Sequence, residues 1–303
     1  MNFKREMTNL EDITKEQKFP VSIRYADVEK FLEATLDENP VHRYPESTKT
    51  ILKAMRYEGW ESLKNEIIFP GMLTLLKIEH EISQIEEKKL AHYDIRFDQA
   101  LLVEKITDSE CGKNEDSGNA SDAFLVACSY VREAGDDFAS YKVEAVEKGQ
   151  KKMNLLSGTF KYQPRRISAD EFEQEMNGEY KGCAALKIGE AEKYLEIFNT
   201  SKNPGLKMIS ALIPRAIEEI FRINLDGTVL LYLGQSLNLN NSEDAGELTR
   251  SGDEVNFVAC LTRAIGNQTK QSAVINIGAY LQNGTPLFYG QTKGIIKKIK
   301  KTC

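Results

Sequence analysis

Asp37-Glu38-Asn39-Pro40-Val41-His42 sets a carboxylate and an imidazole five positions apart. Asn-Pro forces an extended or turn conformation at Asn39, so the stretch cannot be one continuous helix and Asp37 and His42 can fold toward one another. Histidine supplies a group that titrates near neutrality. A carboxylate beside it orients the ring or shares its water, and such general acid–base groups contribute about 10²- to 10⁴-fold in rate. Asp and Asn are also ordinary turn and cap residues, so Asp-x-Asn-Pro alone is more often punctuation than chemistry; the added histidine and the segment downstream change that reading. Ile67-Ile68-Phe69-Pro70-Gly71-Met72-Leu73-Thr74 puts an apolar strand end or turn directly before a helix start. Free backbone N–H groups and the positive helix end can there receive a developing oxyanion.

The elements that must position these residues follow from period. Leu75, Ile78, Ile82 and Ile85 recur at helical spacing from the Pro70-Gly71 start, with Glu and Lys on the other side, which predicts a helix laying one stripe on a sheet. Tyr93, Ile95 and Phe97 alternate with Asp94, Arg96 and Asp98 as a half-buried strand. The polar cluster Gly112 to Asp122 precedes a strand over Ala123 to Tyr130, and Tyr141 to Tyr162 reads as strand, turn at Lys148-Gly149, strand. The plan then repeats: a helix over Lys207 to Arg222 after Pro204-Gly205, a strand over Thr228 to Leu239, a polar loop from Asn240 to Asp253, a strand over Val255 to Arg263, and a hairpin at Asn283-Gly284. Fragments echo in order. Phe31-Leu32-Glu33 with Asn39-Pro40 matches Tyr194-Leu195-Glu196 with Asn203-Pro204, and Phe124 to Cys128 matches Phe257 to Cys260. The shared order predicts a duplicated α+β unit, residues 1–166 carrying the motif and 167–303 repeating the plan, each a mostly antiparallel sheet around one helix.

Composition removes other classes. The 303 residues are 41% hydrophobic and 28% charged, which excludes collagen-like and largely disordered chains. A net charge of −6 argues against a nucleic-acid partner, because phosphate binding needs a net basic face. Five cysteines without CxxC spacing suit a reducing compartment, and the charged first 30 residues carry no export signal, so a cytoplasmic location is expected. The uncharged run Gln271 to Thr292 reads as two strands around Asn283-Gly284, and no membrane span is expected. G-x-G-x-x-G, GxxxxGK[ST] and H-E-x-x-H are all absent, so neither a redox cofactor nor a metal is implied.

Asp37-x-Asn39-Pro40-x-His42, then Pro70-Gly71-Met72 about thirty residues on and the Tyr93-Asp94-Ile95-Arg96-Phe97 strand, resembles the MaoC-like branch of the hotdog-fold superfamily. That branch holds (R)-specific enoyl-thioester hydratases and 3-hydroxyacyl-thioester dehydratases, and two units in tandem resemble its double-hotdog members. The resemblance implies an α+β tandem double hotdog, a pseudo-dimer in one chain, with a further homodimer left open. It implies Asp37 and His42 as catalytic residues that bind the water or take the α-proton, with Asn39 bracing the loop at the substrate. The Gly71 N–H would polarise the thioester carbonyl beside Met72, and Thr74 is the nearest match to a small hydroxyl residue the family carries there. Where several relatives have Gly before the catalytic Asp, this chain has Leu36, and Arg43-Tyr44 follows His42 where an acidic residue is usual.

The implied activity is hydro-lyase chemistry between (3R)-hydroxyacyl and trans-2-enoyl thioesters in fatty-acid or polyketide-type metabolism, with no cofactor beyond the phosphopantetheine of a coenzyme A or acyl-carrier-protein substrate. Arg43, Arg165, Arg166 and the Lys297 to Lys301 cluster are candidates for the carrier's acidic groups. A hotdog thioesterase and a non-catalytic acyl-binding or assembly-partner protein are the alternatives. The three histidines, His42, His80 and His92, all lie in the first half, so the second half cannot hold a second Asp/His pair. Ser201 and Leu206 stand at its matching positions if Asn203-Pro204 corresponds to Asn39-Pro40.

Overall fold

The computed structural model of the chain describes residues 17–55, 57, 59–104, 123–135, 138–147, 154–178, 180–187, 189, 191–198, 209–222, 228–242, 254–267 and 270–298. The strands are β1 (Gln17–Arg24), β2 (Glu66–Ile68), β3 (Leu90–Phe97), β4 (Leu102–Glu104), β5 (Ala123–Ala134), β6 (Ala139–Glu147), β7 (Asn154–Tyr162), β8 (Tyr180–Lys187), β9 (Thr228–Leu239), β10 (Glu254–Asn267), β11 (Lys270–Tyr280) and β12 (Pro286–Lys298). The helices are α1 (Tyr25–Thr35), α2 (Pro45–Met55), α3 (Gly71–Ser83), α4 (Ala169–Glu175), α5 (Ala191–Ile197) and α6 (Ile213–Phe221). Ten strands form one antiparallel sheet in the order β1-β5-β6-β7-β3-β9-β12-β11-β10-β8, and β2 pairs with β4 apart from it.

Read inward from either edge, the sheet shows one plan twice. The first strand of each half lies at an edge, the next at the centre, and three more fill the space between. Helices α1 and α5 each follow an edge strand, and α3 and α6 each precede a central strand. The described parts of both echoes fall on equivalent elements, Phe31-Leu32-Glu33 and Tyr194-Leu195-Glu196 on α1 and α5, and Phe124 to Cys128 and Phe257 to Cys260 on β5 and β10. The α1 and α5 helices are joined by reciprocal ion pairs, Lys30 to Glu196 at 2.7 Å and Lys193 to Glu33 at 3.5 Å. In the echo Lys30 matches Lys193 and Glu33 matches Glu196, so each residue pairs with its partner's counterpart, as across a two-fold axis. Both pairs are solvent-facing and fix orientation more than they stabilise.

The two halves join at β3 and β9, registered from His92 opposite Asn238 to Arg96 opposite Gly234. Tyr93 donates to Gln235 at 2.8 Å and Gln235 to Thr292 at 3.3 Å, so these three buried polar side chains at the seam are bonded to one another. Asn241 caps it by donating to the carbonyls of Leu90 and Gln163 at 3.2 and 2.7 Å. Close strand approach requires glycine on both sides: a Cβ at Gly158 would collide with the Asp94 carbonyl, and one at Gly290 with that of Ser236. At the Asn283-Gly284 turn Gly284 takes φ +85°, a left-handed conformation suited to glycine.

Helix α3 is the buried axis of the first half, and it corrects two expectations. It ends at Ser83, so Ile85 falls beyond the stripe and is 41% exposed. Its charged residues do not all face outward, since Lys77 and Glu79 are buried. Lys77 is bonded to Asp27 of α1 at 2.8 Å, and Glu79 accepts from Tyr162 at 3.2 Å. Burial pulls the Lys77 pKa below its ordinary value, partly offset by Asp27. Lys77→Met should therefore cost about 3 kcal/mol in urea denaturation, because the Asp27 carboxylate stays buried with only the half-exposed Arg24 beside it. Replacing both partners by apolar residues should recover most of that loss.

In the second half, the helix expected over Lys207 to Arg222 is helical at 209–211, is interrupted at Leu212 and continues as α6; Lys207 and Met208 lie outside the described residues, as do Gly112 to Asp122, Lys148-Gly149, Ser201, Asn203 to Leu206, 243–253 and Lys300-Lys301. Among the described residues no helix is long and apolar enough to cross a membrane.

Candidate active site

The Asp37 to His42 segment is shaped by how α1 ends. Leu36 caps the helix in the left-handed conformation, φ +52° and ψ +36°, and the Asp37 N–H then donates to the Leu32 carbonyl at 3.1 Å. A left-handed leucine is strained by roughly 1–2 kcal/mol, and at 39% exposure Leu36 recovers little by packing. Leu36→Gly should stabilise the fold by roughly 0.5–1 kcal/mol, read as a raised urea midpoint; no change would place the strain elsewhere.

Beyond this cap the chain reverses. Asn39 sits at φ −60° and ψ +117°, the extended geometry a following proline demands, and Pro40–His42 closes a single 3-10 turn. The Asn39 N–H donates to Asp37 Oδ1 at 2.8 Å, Asn39 Oδ1 accepts from the Val41 N–H at 3.3 Å, and Asn39 Nδ2 donates to the Leu230 carbonyl at 3.3 Å. Asn39 thus holds the loop and ties it to β9 of the other half. Arg43 donates to the Asp37 carbonyl at 2.6 and 3.2 Å, a further brace on the loop.

His42 Nδ1 lies 2.7 Å from the Ile68 carbonyl. A carbonyl only accepts, so Nδ1 carries a proton and donates to it, which in the neutral ring leaves the lone pair on Nε2. The fully buried Thr48 of α2 links turn and strand, its hydroxyl donating to the Val41 carbonyl at 2.8 Å and accepting from the Ile68 N–H at 3.3 Å. The strand so fixed, β2, runs through Phe69-Pro70 into α3, whose first amides have no carbonyl one turn back to pair with. The aromatic ring of Phe97 lies against Gly71, 3.0 Å from where a Cβ would stand.

All six sequence candidates, Asp37, Asn39, His42, Gly71, Met72 and Thr74, line one cavity of about 550 Å³. Phe31, Phe97, Leu155 and Leu156 supply much of its remaining wall, and Pro214 and Leu230 to Leu233 bring the second half into it. Those second-half residues, with Thr48 behind the histidine, are what the sequence reading lacked; an apolar strand and a lone threonine carry no motif. No lysine or arginine lines the cavity among the described residues. Arg165 instead pairs with Glu171 at 2.7 Å, and Lys297 stands at the end of β12. His80 packs its ring on Phe198 at 5.2 Å between centroids, and His92 faces Asn238 at 3.2 Å, so both lie away from the cavity.

The chain's shape is similar to solved structures over nearly its whole length. A MaoC-like dehydratase aligns with a TM-score of 0.57 at 8% identity, covering 96% of this chain and 99% of that one. A MaoC domain protein dehydratase from Chloroflexus aurantiacus J-10-fl gives 0.58 at 8% identity, covering 94% and 95%. The dehydratase domain of the CurJ module of curacin polyketide synthase gives 0.54 at 10% identity, covering 98% and 97%. No family model and no curated protein sequence matches the chain. With the sheet order, these likenesses establish the α+β tandem double hotdog fold expected from the sequence.

Proposed function

We propose that the chain is a hydro-lyase interconverting (3R)-hydroxyacyl and trans-2-enoyl thioesters. The observation that carries this reading is the anchored His42, with Nδ1 committed to Ile68, on the wall of an apolar cavity that also holds Asp37 and the start of α3. The shape shared with solved dehydratases supports it. In the hydration direction Asp37 holds a water and His42 Nε2 takes one of its protons. The water oxygen bonds to C3, the C2=C3 pair moves onto C2, and the thioester oxygen gains charge beside the Gly71 N–H. The proton on His42 then passes to C2, so H and OH are added in balance with no oxidation or reduction. The reaction calls for no redox cofactor.

Within this reading residues 1–166 carry the Asp37 and His42 pair and the Gly71 N–H, and 167–303 supply Pro214 and Leu230 to Leu233, which complete the cavity. An acyl chain suits the largely apolar wall supplied by Phe31, Phe97, Leu155, Leu156 and Leu230 to Leu233. The carrier, coenzyme A or an acyl carrier protein, would lie outside it, and cytoplasmic metabolism of fatty-acid or polyketide type is the setting proposed.

The test is hydration of short and medium trans-2-enoyl-CoA thioesters, followed by loss of enoyl absorbance, with carrier-loaded enoyl chains in parallel. Turnover with either carrier supports the assignment. Release of free thiol without hydration would make the protein a thioesterase instead, and binding without reaction would make it an acyl-binding protein.

A further inference from the structure

Tyr232 is the one phenol that the second half contributes to the cavity among the described residues, in a wall segment otherwise made of Leu230, Leu231 and Leu233. Its hydroxyl is buried and has no hydrogen-bond partner. A buried donor left unmade costs about 1–3 kcal/mol, so an orphaned hydroxyl in a cavity wall points to something that completes it. The strand is irregular here. Tyr232 pairs with Gly294 and Gly234 with Lys293, so Leu233 is the extra residue of a β-bulge, and pairing with β3 begins only at Gly234. Bulges re-aim side chains beside sites. Two residues before Tyr232, and therefore on the same strand face, Leu230 gives its carbonyl to Asn39, which fixes this stretch of β9 against the Asp37 loop. Burial raises the Tyr232 pKa well above its ordinary value, and the negative charges of Glu218 and, less strongly, Asp37 add to it, so the phenol remains a donor at any physiological pH.

We infer that Tyr232 is a third catalytic group, contributed by the second half, whose hydroxyl donates a hydrogen bond to the oxygen that joins or leaves C3 of the acyl chain. This rests on the hydro-lyase reading. A water held there has its four positions used: one hydrogen toward Asp37, one toward His42 Nε2, one lone pair accepting from Tyr232, and one lone pair free to attack C3. No proton leaves the phenol, so the reaction's balance is unchanged. In the reverse direction the same donor stabilises the departing oxygen as negative charge develops on it.

The experiment is Tyr232→Phe, which deletes one oxygen, assayed in both directions with pantetheine thioesters of trans-2-hexenoic and (3R)-hydroxyhexanoic acid, the arm common to both carriers. Since no protein partner is lost, the thermal midpoint should stay equal or rise. Expected is a fall of about 10²-fold in kcat/KM in both directions. The KM for the hydroxyacyl ester should rise about 2- to 10-fold while that for the enoyl ester, which has no C3 oxygen, stays put. A purely space-filling tyrosine would not produce that asymmetry. Unchanged kcat/KM with unchanged KM for both esters overturns the inference. Equilibrium binding of hydroxyhexanoyl- and hexanoyl-pantetheine separates it from the reading beneath it. If wild type turns nothing over yet prefers the hydroxy ester, and Tyr232→Phe erases the preference, the Tyr232 contact stands and the hydro-lyase reading falls. Absence of that preference in a wild type without turnover overturns both.

Discussion

Asp37→Asn and His42→Ala should each lower kcat/KM for enoyl hydration by about 10²- to 10⁴-fold while the protein remains folded. Asn at position 37 still offers an oxygen to the Asn39 N–H, and the turn's other braces, Asn39 to Leu230 and Arg43 to the Asp37 carbonyl, involve no atom of the Asp37 side chain. The loss would then come from the missing charge that holds the water. His42→Ala removes Nε2 and leaves the Ile68 carbonyl without its ring partner, so a small drop in thermal midpoint should accompany the kinetic loss. A double variant should be little worse than the weaker single one, because groups that act as a unit are not additive. Multiplying losses would mean that the two residues serve separate steps. Stopped-flow or steady-state enoyl absorbance on the three variants decides between these.

The second large effect concerns a backbone atom. Gly71→Pro should reduce kcat by about 10²- to 10³-fold relative to Gly71→Ala. Proline is tolerated at the first position of a helix, and Pro70 before it already has φ −61° and ψ +119°, the extended geometry that a following proline requires. The substitution therefore deletes one N–H with little harm to α3. Both variants place a Cβ against the Phe97 ring, where only 3.0 Å is available, so alanine carries the same crowding and keeps the amide. If alanine and proline lose equally, the crowding accounts for the effect and the Gly71 N–H does not receive the oxyanion.

What the sequence displayed of this molecule was what periodicity and turn chemistry write locally. The α3 start at Pro70-Gly71, the β9 span from Thr228 to Leu239 and the Asn283-Gly284 turn were all readable, because each depends on neighbours within a few residues. Edge strands were not. Gln17–Arg24 has a proline at position 20 and Tyr180–Lys187 is rich in small residues, and each is held as a strand by one neighbour. Nor was the burial of Lys77, since only the three-dimensional approach of α1 supplies Asp27. At the site, the motif residues announced themselves by type and spacing. Thr48 and Tyr232 did not, because their significance depends on partners 20 residues away or in the other half, which no local pattern encodes.

The reciprocal pairs Lys30–Glu196 and Lys193–Glu33 bear on how such a chain can change over time. In an ancestor made of two identical subunits, any mutation strikes both copies at once, and a change that improves one wall of a cavity alters the other wall with it. Joining the two copies in one gene lifts that constraint. Each can then drift alone, so one can keep its histidine while the other gives up its own and spends its inward-facing positions on the neighbour's cavity. The surviving ion pairs would be the remnant of a symmetry that selection no longer has reason to maintain, and single substitutions there should be among the first to accumulate without consequence for the chemistry.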